Sequence, residues 1–137
     1  SIARAVPPPL LPIVAGGDRH SLMLTTDHIL WSFGENFDGQ LGTTVNNGNQ
    51  NPNPVPTQVM TGVKAVEAGT FHSMALKDDG TAWAWGYNLY GRLGDGTQTN
   101  RWSPVQITAL SNVVELCGGA GHSLARTGDG GVWASDS

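Results

Sequence analysis

One motif recurs three times at near-constant spacing, and that recurrence constrains the fold more than any other feature. Ala15-Gly16-Gly17-Asp18-Arg19-His20-Ser21-Leu22 aligns with Glu67-Ala68-Gly69-Thr70-Phe71-His72-Ser73-Met74 and with Cys117-Gly118-Gly119-Ala120-Gly121-His122-Ser123-Leu124. The three histidines lie 52 and 50 positions apart. A Trp stands eleven positions after each of them, at Trp31, Trp83 and Trp133. Residues 31–42 and 83–94 share Trp, Gly, Asn, Gly, Leu and Gly at matching places. Pro56-Thr57-Gln58-Val59 recurs as Pro104-Val105-Gln106-Ile107. A chain repeating at such a period is an array of similar units, each too small to bury its apolar face alone.

The second copy shows what one unit is. His72 to Leu76 alternates, Lys77-Asp78-Asp79-Gly80 supplies turn chemistry, and Thr81 to Trp85 alternates again. Asp-Gly between two alternating runs predicts a hairpin. Val63 to Ala68 reads as a strand before it and Pro104 to Ile107 as one after it. Pro at the start of that last strand suits an outer edge, because Pro cannot donate to a ladder. Four short strands at a period of about 50 residues predict a β-propeller blade. Gly17, Gly69 and Gly119 fall where backbones converge and a side chain would clash.

Composition agrees and excludes some functions. The 137 residues include 19 Gly and 8 Pro but only 13% charged residues, which favours short strands and tight turns over long helices. Seven Lys and Arg against a net charge of -4 make no basic stripe, so no nucleic-acid binding is expected. No apolar run approaches the ~20 residues of a membrane helix, and residues 1–11 do not read as a signal core. The single cysteine, Cys117, allows no intrachain disulfide and reads as a small buried hydrophobe.

These blocks resemble the regulator of chromosome condensation repeat family. The resemblance rests on Gly-x-x-His-Ser-Leu, Gly-x-x-Trp-x-Trp-Gly-x-Asn-x-x-Gly-x-Leu-Gly-Asp-Gly and Pro-x-x-Val, and covers nearly all of residues 13–134. Ala68 to Ile107 is nearest the family pattern, and Ala75-Leu76-Lys77-Asp78-Asp79-Gly80-Thr81 resembles bacterial versions. The resemblance implies seven-bladed propellers with differing roles, including nucleotide exchange on a small GTPase, ultraviolet sensing, enzyme inhibition and scaffolding. The ultraviolet-sensing type places Trp before an Arg-His pair. Here those positions hold Asp18, Thr70 or Phe71, and Ala120 or Gly121, which argues against light sensing.

The fold class expected is all-β, with propeller blades of four antiparallel strands, about three blades' worth, in an incomplete ring. Val6-Pro7-Pro8-Pro9-Leu10 resembles the outer-strand block, so residues 1–12 read as the outer strand of a preceding blade. Residues 13–60 and 63–108 read as blades, and 113–137 as a partial blade. Three blades do not close a ring, since closed propellers have ~4–8. Either the chain is part of a longer propeller, or copies associate and complete one another's blades.

No motif points to catalysis, a cofactor or a metal. His20, His72 and His122 sit on blades that splay apart, too far for one zinc ion, and read as structural hydrogen-bonding residues, with backbone as the expected partner. His28 reads as an exposed turn residue. Asp78-Asp79-Gly80, Asp95-Gly96 and Asp129-Gly130 read as turns, not calcium loops. Ser21, Ser73 and Ser123 each follow a His, and neighbours on a strand point to opposite faces. The positions that the repeat leaves unexplained are the better functional candidates. These are the Asn-rich stretch 43–53, its counterpart 97–102, and Phe37, Asp38, Leu89, Tyr90 and Arg92 on the long loops. Phe37, Tyr87, Tyr90, Arg92 and Trp102 are the expected anchors for a protein partner. The function expected is a protein-protein interaction module or scaffold, non-enzymatic, with self-association to complete the ring as one route. A carbohydrate-binding or sialidase-like propeller is the alternative, and a guanine-nucleotide exchange-type regulator a second.

Overall fold

The computed structural model describes residues 13–135 apart from Val45, Asn47, Gln50 and Tyr90. The described residues form three antiparallel sheets. The first runs β1 (Ile13–Gly16), β2 (His20–Leu24), β3 (Leu30–Gly34) and β4 (Asn53–Met60). The second runs β5 (Val63–Ala68), β6 (His72–Lys77), β7 (Ala82–Gly86) and β8 (Arg101–Gln106). The third holds β9 (Val113–Gly118), β10 (Ser123–Thr127) and β11 (Val132–Ser135). Each sheet is a meander in sequence order, which is the arrangement of a propeller blade. The outer-strand reading of residues 1–12 lies outside the described residues.

Burial along the second strand of each sheet reports where that sheet sits. In β2, His20, Leu22 and Leu24 are buried while Ser21 and Met23 are half-buried. In β6 all of His72 to Leu76 are buried. Successive side chains point to opposite faces, so β6 is covered on both sides and β2 on one. The second sheet is therefore the filling of the stack. Two apolar layers result. Leu22, Leu24 and Leu30 of the first sheet meet Val63, Val66, Ala75 and Trp85 of the second. Met74, Leu76, Ala82 and Ala84 of the second meet Val113, Leu116 and Ala125 of the third, with Leu93 and Ile107 closing the layer.

Three expectations need correction. The outer strands begin earlier than their Pro-x-x-Val blocks, at Asn53 and Arg101. Pro56 and Pro104 lie inside them, and β4 and β8 are edge strands in their sheets, where a missing N–H costs no ladder bond. Trp102, expected on a loop, is consequently on β8. Cys117 is exposed rather than buried. It pairs across from Leu124 as Ala15 pairs from Leu22. Ala15 packs against the neighbouring sheet, whereas no described sheet covers that side of the third.

Candidate partner-binding surface

The sheets are joined at one end by a repeated latch. His20 Nε2 lies 2.9 Å from Ser73 Oγ, and Ser73 Oγ donates to the Gln40 carbonyl at 2.7 Å. One repeat later, His72 Nε2 lies 3.2 Å from Ser123 Oγ, which donates to the Arg92 carbonyl at 2.9 Å. The hydroxyl proton is committed to a carbonyl, so the hydroxyl accepts from His Nε2–H. That fixes the tautomer and leaves Nδ1 as a lone pair. Nδ1 of both histidines is buried without a hydrogen-bond partner. Burial, the largest cause, lowers the pKa of each to about 4. The histidines were expected to bond backbone; their partner is the serine of the next repeat instead. The polarity is also the reverse of nucleophile activation, in which His must accept the serine proton.

Glycine makes the latch possible. A Cβ on Gly69 would stand 2.0 Å from His72 Cε1 and 2.6 Å from the Gly119 carbonyl oxygen, so the imidazole packs where a side chain would be. At the other end of the sheets a turn carbonyl accepts from the first strand of the next one. Val63 N–H bonds His28 O, and Val113 N–H bonds Gly80 O, each at 3.0 Å. His28 holds φ 64° where the equivalent Gly80 and Gly130 hold 83° and 89°. Its Nδ1 is 3.1 Å from Asp78 Oδ1, so it is tied to the next sheet rather than free.

The latch is complete between the first and second sheets and between the second and third. Its two outer halves are open. His122 is exposed, its imidazole meeting no serine among the described residues, and Ser21 is half-buried on the opposite end of the stack. Apolar residues flank each half. Val14 is 68% exposed beside half-buried Met23 and Phe33 on the first sheet, and Val132 is 76% exposed beside Leu124 on the third.

The long loops stand on the latch end as a rigid rim. Buried Asn88 accepts from Leu93 N–H and donates to Thr97 O and Thr99 O. Asn36 likewise accepts from Leu41 N–H and donates to Thr43 O. Backbone bonds repeat too: Glu35 N–H to Arg19 O, and Tyr87 N–H to Phe71 O. The side chains on that shared frame differ. The first sheet carries an ion pair, Arg19 Nη1 to Glu35 Oε2 at 3.5 Å. The second carries Phe71 edge-on to Tyr87, with centroids 6.2 Å apart at 77°. The Arg92 guanidinium stacks on Tyr87 at 4.6 Å, and its Nη1 donates to Ala120 O at 3.0 Å. Phe71, Tyr87, Arg92, Asp38, Thr70 and Ala120 enclose an open cavity of about 470 Å³.

The structure thus brings two expected anchors, Tyr87 and Arg92, into one site. Arg92 is buried, 7% exposed, where an exposed anchor was expected. Phe37 stands 44% exposed, and its equivalent Leu89 46%. Trp102 is half-buried on β8, with its indole N–H buried and unpartnered. Tyr90 lies outside the described residues. The sequence reading missed Phe71; comparing residues 19, 71 and 121 in register would have marked it, since Arg, Phe and Gly share nothing. Trp83 and Trp133 are half-buried against the two apolar layers, and Trp31 is half-buried on the outer side of the first sheet beside Met23 and Pro56; none of the three lines the cavity. Among the described residues no three metal-ligating side chains cluster, and no helix is long and apolar enough to cross a membrane.

Two models of the Regulator of chromosome condensation (RCC1) repeat match the chain, one at residues 27–76 and 79–126 and one at 13–40 and 63–92. The RCC1 domain-containing protein RUG3, mitochondrial, of Arabidopsis thaliana is 31% identical over 135 residues, 97% of this chain and 30% of that protein. The ultraviolet-B receptor UVR8 of the same plant is 35% identical over 100 residues, 70% of this chain and 22% of that protein. Among solved structures, Prp20p of Saccharomyces cerevisiae superposes with a TM-score of 0.76 at 27% identity, covering 88% of this chain and 32% of that one. The chain therefore spans a third or less of the length of these three proteins.

Proposed function

This chain belongs to the regulator of chromosome condensation repeat family, and from that premise we propose that it is a protein-interaction module whose latch-end rim is the contact surface. The observation that carries this reading is the departure from the repeat. Where the first sheet holds Arg19 and Glu35, the second holds an aromatic corner with a stacked guanidinium. Packing within a sheet needs only the shared backbone frame, so the aromatic pair answers to something outside it. Tyr and Arg are enriched among the residues that dominate binding energy, and Phe37 and Leu89 add exposed apolar surface beside them. Prp20p has described binding properties to Gsp1p and histones, which supports a protein as the partner class. Phe37, Tyr87, Tyr90, Arg92 and Trp102 remain the proposed anchors. Selection of a displayed random-peptide library against the chain tests this. Enriched peptides should lose at least tenfold in affinity to Tyr87→Ala, a truncation worth 1.4 kcal/mol or more at a central anchor. Peptides that bind Tyr87→Ala and Phe37→Ala as tightly as the wild-type chain would refute it.

The open halves of the latch carry a second part of the same proposal. Among the described residues His122 lacks a serine and Ser21 lacks a histidine, and each is bordered by repeat equivalents of the apolar residues that fill the two closed layers. The surface that fits both is another blade of this kind. In a solution of this chain alone, a second copy supplies it, and the rim is complete only when that blade is in place.

A further inference from the structure

We infer that the rim cavity is a receptor for a carboxylate, presented by an acidic side chain with an apolar or aromatic neighbour on a bound protein segment. This deepens the interaction reading and rests on it. One position on the rim lacks a side chain. In register, Arg19, Phe71 and Gly121 occupy one position on the three sheets. A Cβ on Gly121 would stand 3.8 Å from Arg92 Nη2, so any longer side chain there would lie over the guanidinium. Glycine leaves that charge facing the cavity.

The guanidinium is short of partners. Its Nη1 is used by Ala120 O, its face by Tyr87, and its Nε is buried with no acceptor. Among the described residues no carboxylate pairs with it within 4.0 Å. A buried charge without a counter-ion is unfavourable. An incoming carboxylate would meet the Nη2 edge that Gly121 leaves uncovered and supply the missing charge, and a planar guanidinium fits that group well. Phe71 and Tyr87 form the adjoining wall, which suits an apolar neighbour on the same segment.

Asp38 decides which anion. Its carboxyl lines the same cavity. Burial first, and then Glu35, raise its pKa, while Arg92 lowers it. A phosphate dianion would face that carboxyl at greater cost than a singly charged carboxylate.

The Arg92 Nε–H resonance of the 15N-labelled chain reads the site directly. The probes are acetyl-Phe-Asp-amide, acetyl-Phe-Asn-amide and inorganic phosphate. The Asp probe should shift the Nε–H saturably, with the Asn probe about tenfold weaker, since a charge-assisted bond is roughly twice a neutral one. Asp38→Asn should tighten the Asp probe. Gly121→Phe, which covers the guanidinium, should abolish the shift. Should that variant not fold, Arg92→Gln serves, because Gln40 already occupies the equivalent place in the first sheet; the probe-induced shifts of the Ala120 and Gly121 amides should then vanish. An unresponsive Nε–H, or equal affinity for the Asp and Asn probes, overturns the inference. Phosphate binding tighter than the Asp probe overturns the carboxylate assignment. If library-selected peptides lose affinity on Tyr87→Ala yet leave the Nε–H unmoved, this inference fails and the interaction reading stands.

Discussion

Replacing Trp85 with Ala should cost about 4 kcal/mol of unfolding free energy, the largest loss expected from truncating one side chain here. Trp85 is fully buried between the first and second sheets. Its indole N–H donates to the Gln40 carbonyl at 3.0 Å, and Gly42 lies against its ring edge. Truncation therefore removes the ring from the layer, leaves a cavity, and deletes one of the two donors to that carbonyl. The other donor, Ser73 Oγ, remains. Urea unfolding followed by circular dichroism measures the loss, with unchanged slope if the fold is retained. Trp31→Ala is the control. That ring is half-buried at the outer side of the first sheet, beside Met23 and Pro56, so its loss should be clearly smaller. Equal losses would contradict the assignment of Trp85 to a closed layer.

Acid should unfold the stack well above the range where carboxylates alone would do so. His20 and His72 have pKa values of about 4 in the fold, lowered first by burial, against 6.5 when unfolded. A base with a depressed folded pKa is held neutral, and its contribution is fully present above pH 6.5. It is lost as pH falls from about 6.5 to about 4, because the unfolded chain takes up the protons first. Each histidine loses about 3 kcal/mol across that window. The two are electrostatically coupled, with His20 and Arg92 among the causes that further lower His72, so their effects are not additive. Asp38 and Glu67 have raised pKa values and act with the opposite sign, gaining as pH falls. Both carboxyls are only half-buried, so solvent screening weakens that opposition. Urea midpoints from pH 7 to pH 4 should fall steeply in the wild type and less in His72→Asn. A flat profile would contradict the neutral, partner-fixed histidines of the latch.

The fold was legible because the repeat was legible. The antiparallel four-stranded blade and its hairpin turn followed from aligning three copies, since each copy must solve the same packing problem. What the alignment could not give was the partner of each conserved group. The histidine and serine stand adjacent in sequence, yet they point to opposite faces and bond across to different neighbours, so the pair that forms is His20 with Ser73, not with Ser21. The Trp that repeats is Trp31, Trp83 and Trp133, but the deepest ring is Trp85, whose equivalents are Phe33 and Ser135. Ser135 Oγ donates to the Arg92 carbonyl at 2.7 Å, just as the Trp85 indole donates to Gln40. One hydrogen bond is thus kept by two unlike residues, which residue identity cannot reveal. The rim site was half-legible for a related reason. Tyr87 and Arg92 stood out as departures from the repeat, but Phe71, which stands opposite Tyr87 just past the paired ends of β6 and β7, looked like an ordinary apolar residue of the motif.

On the proposed reading, the open halves of the latch are faces that take further blades of the same kind. Static light scattering on the purified chain across a range of concentrations tests this most directly, alongside Val132→Asp, which places a charge on the exposed apolar residue of the third sheet. The predicted result is a mass that is a multiple of 14.4 kDa and returns to 14.4 kDa in Val132→Asp with the strand signal retained. A folded wild-type chain that stays at 14.4 kDa at every concentration would contradict it.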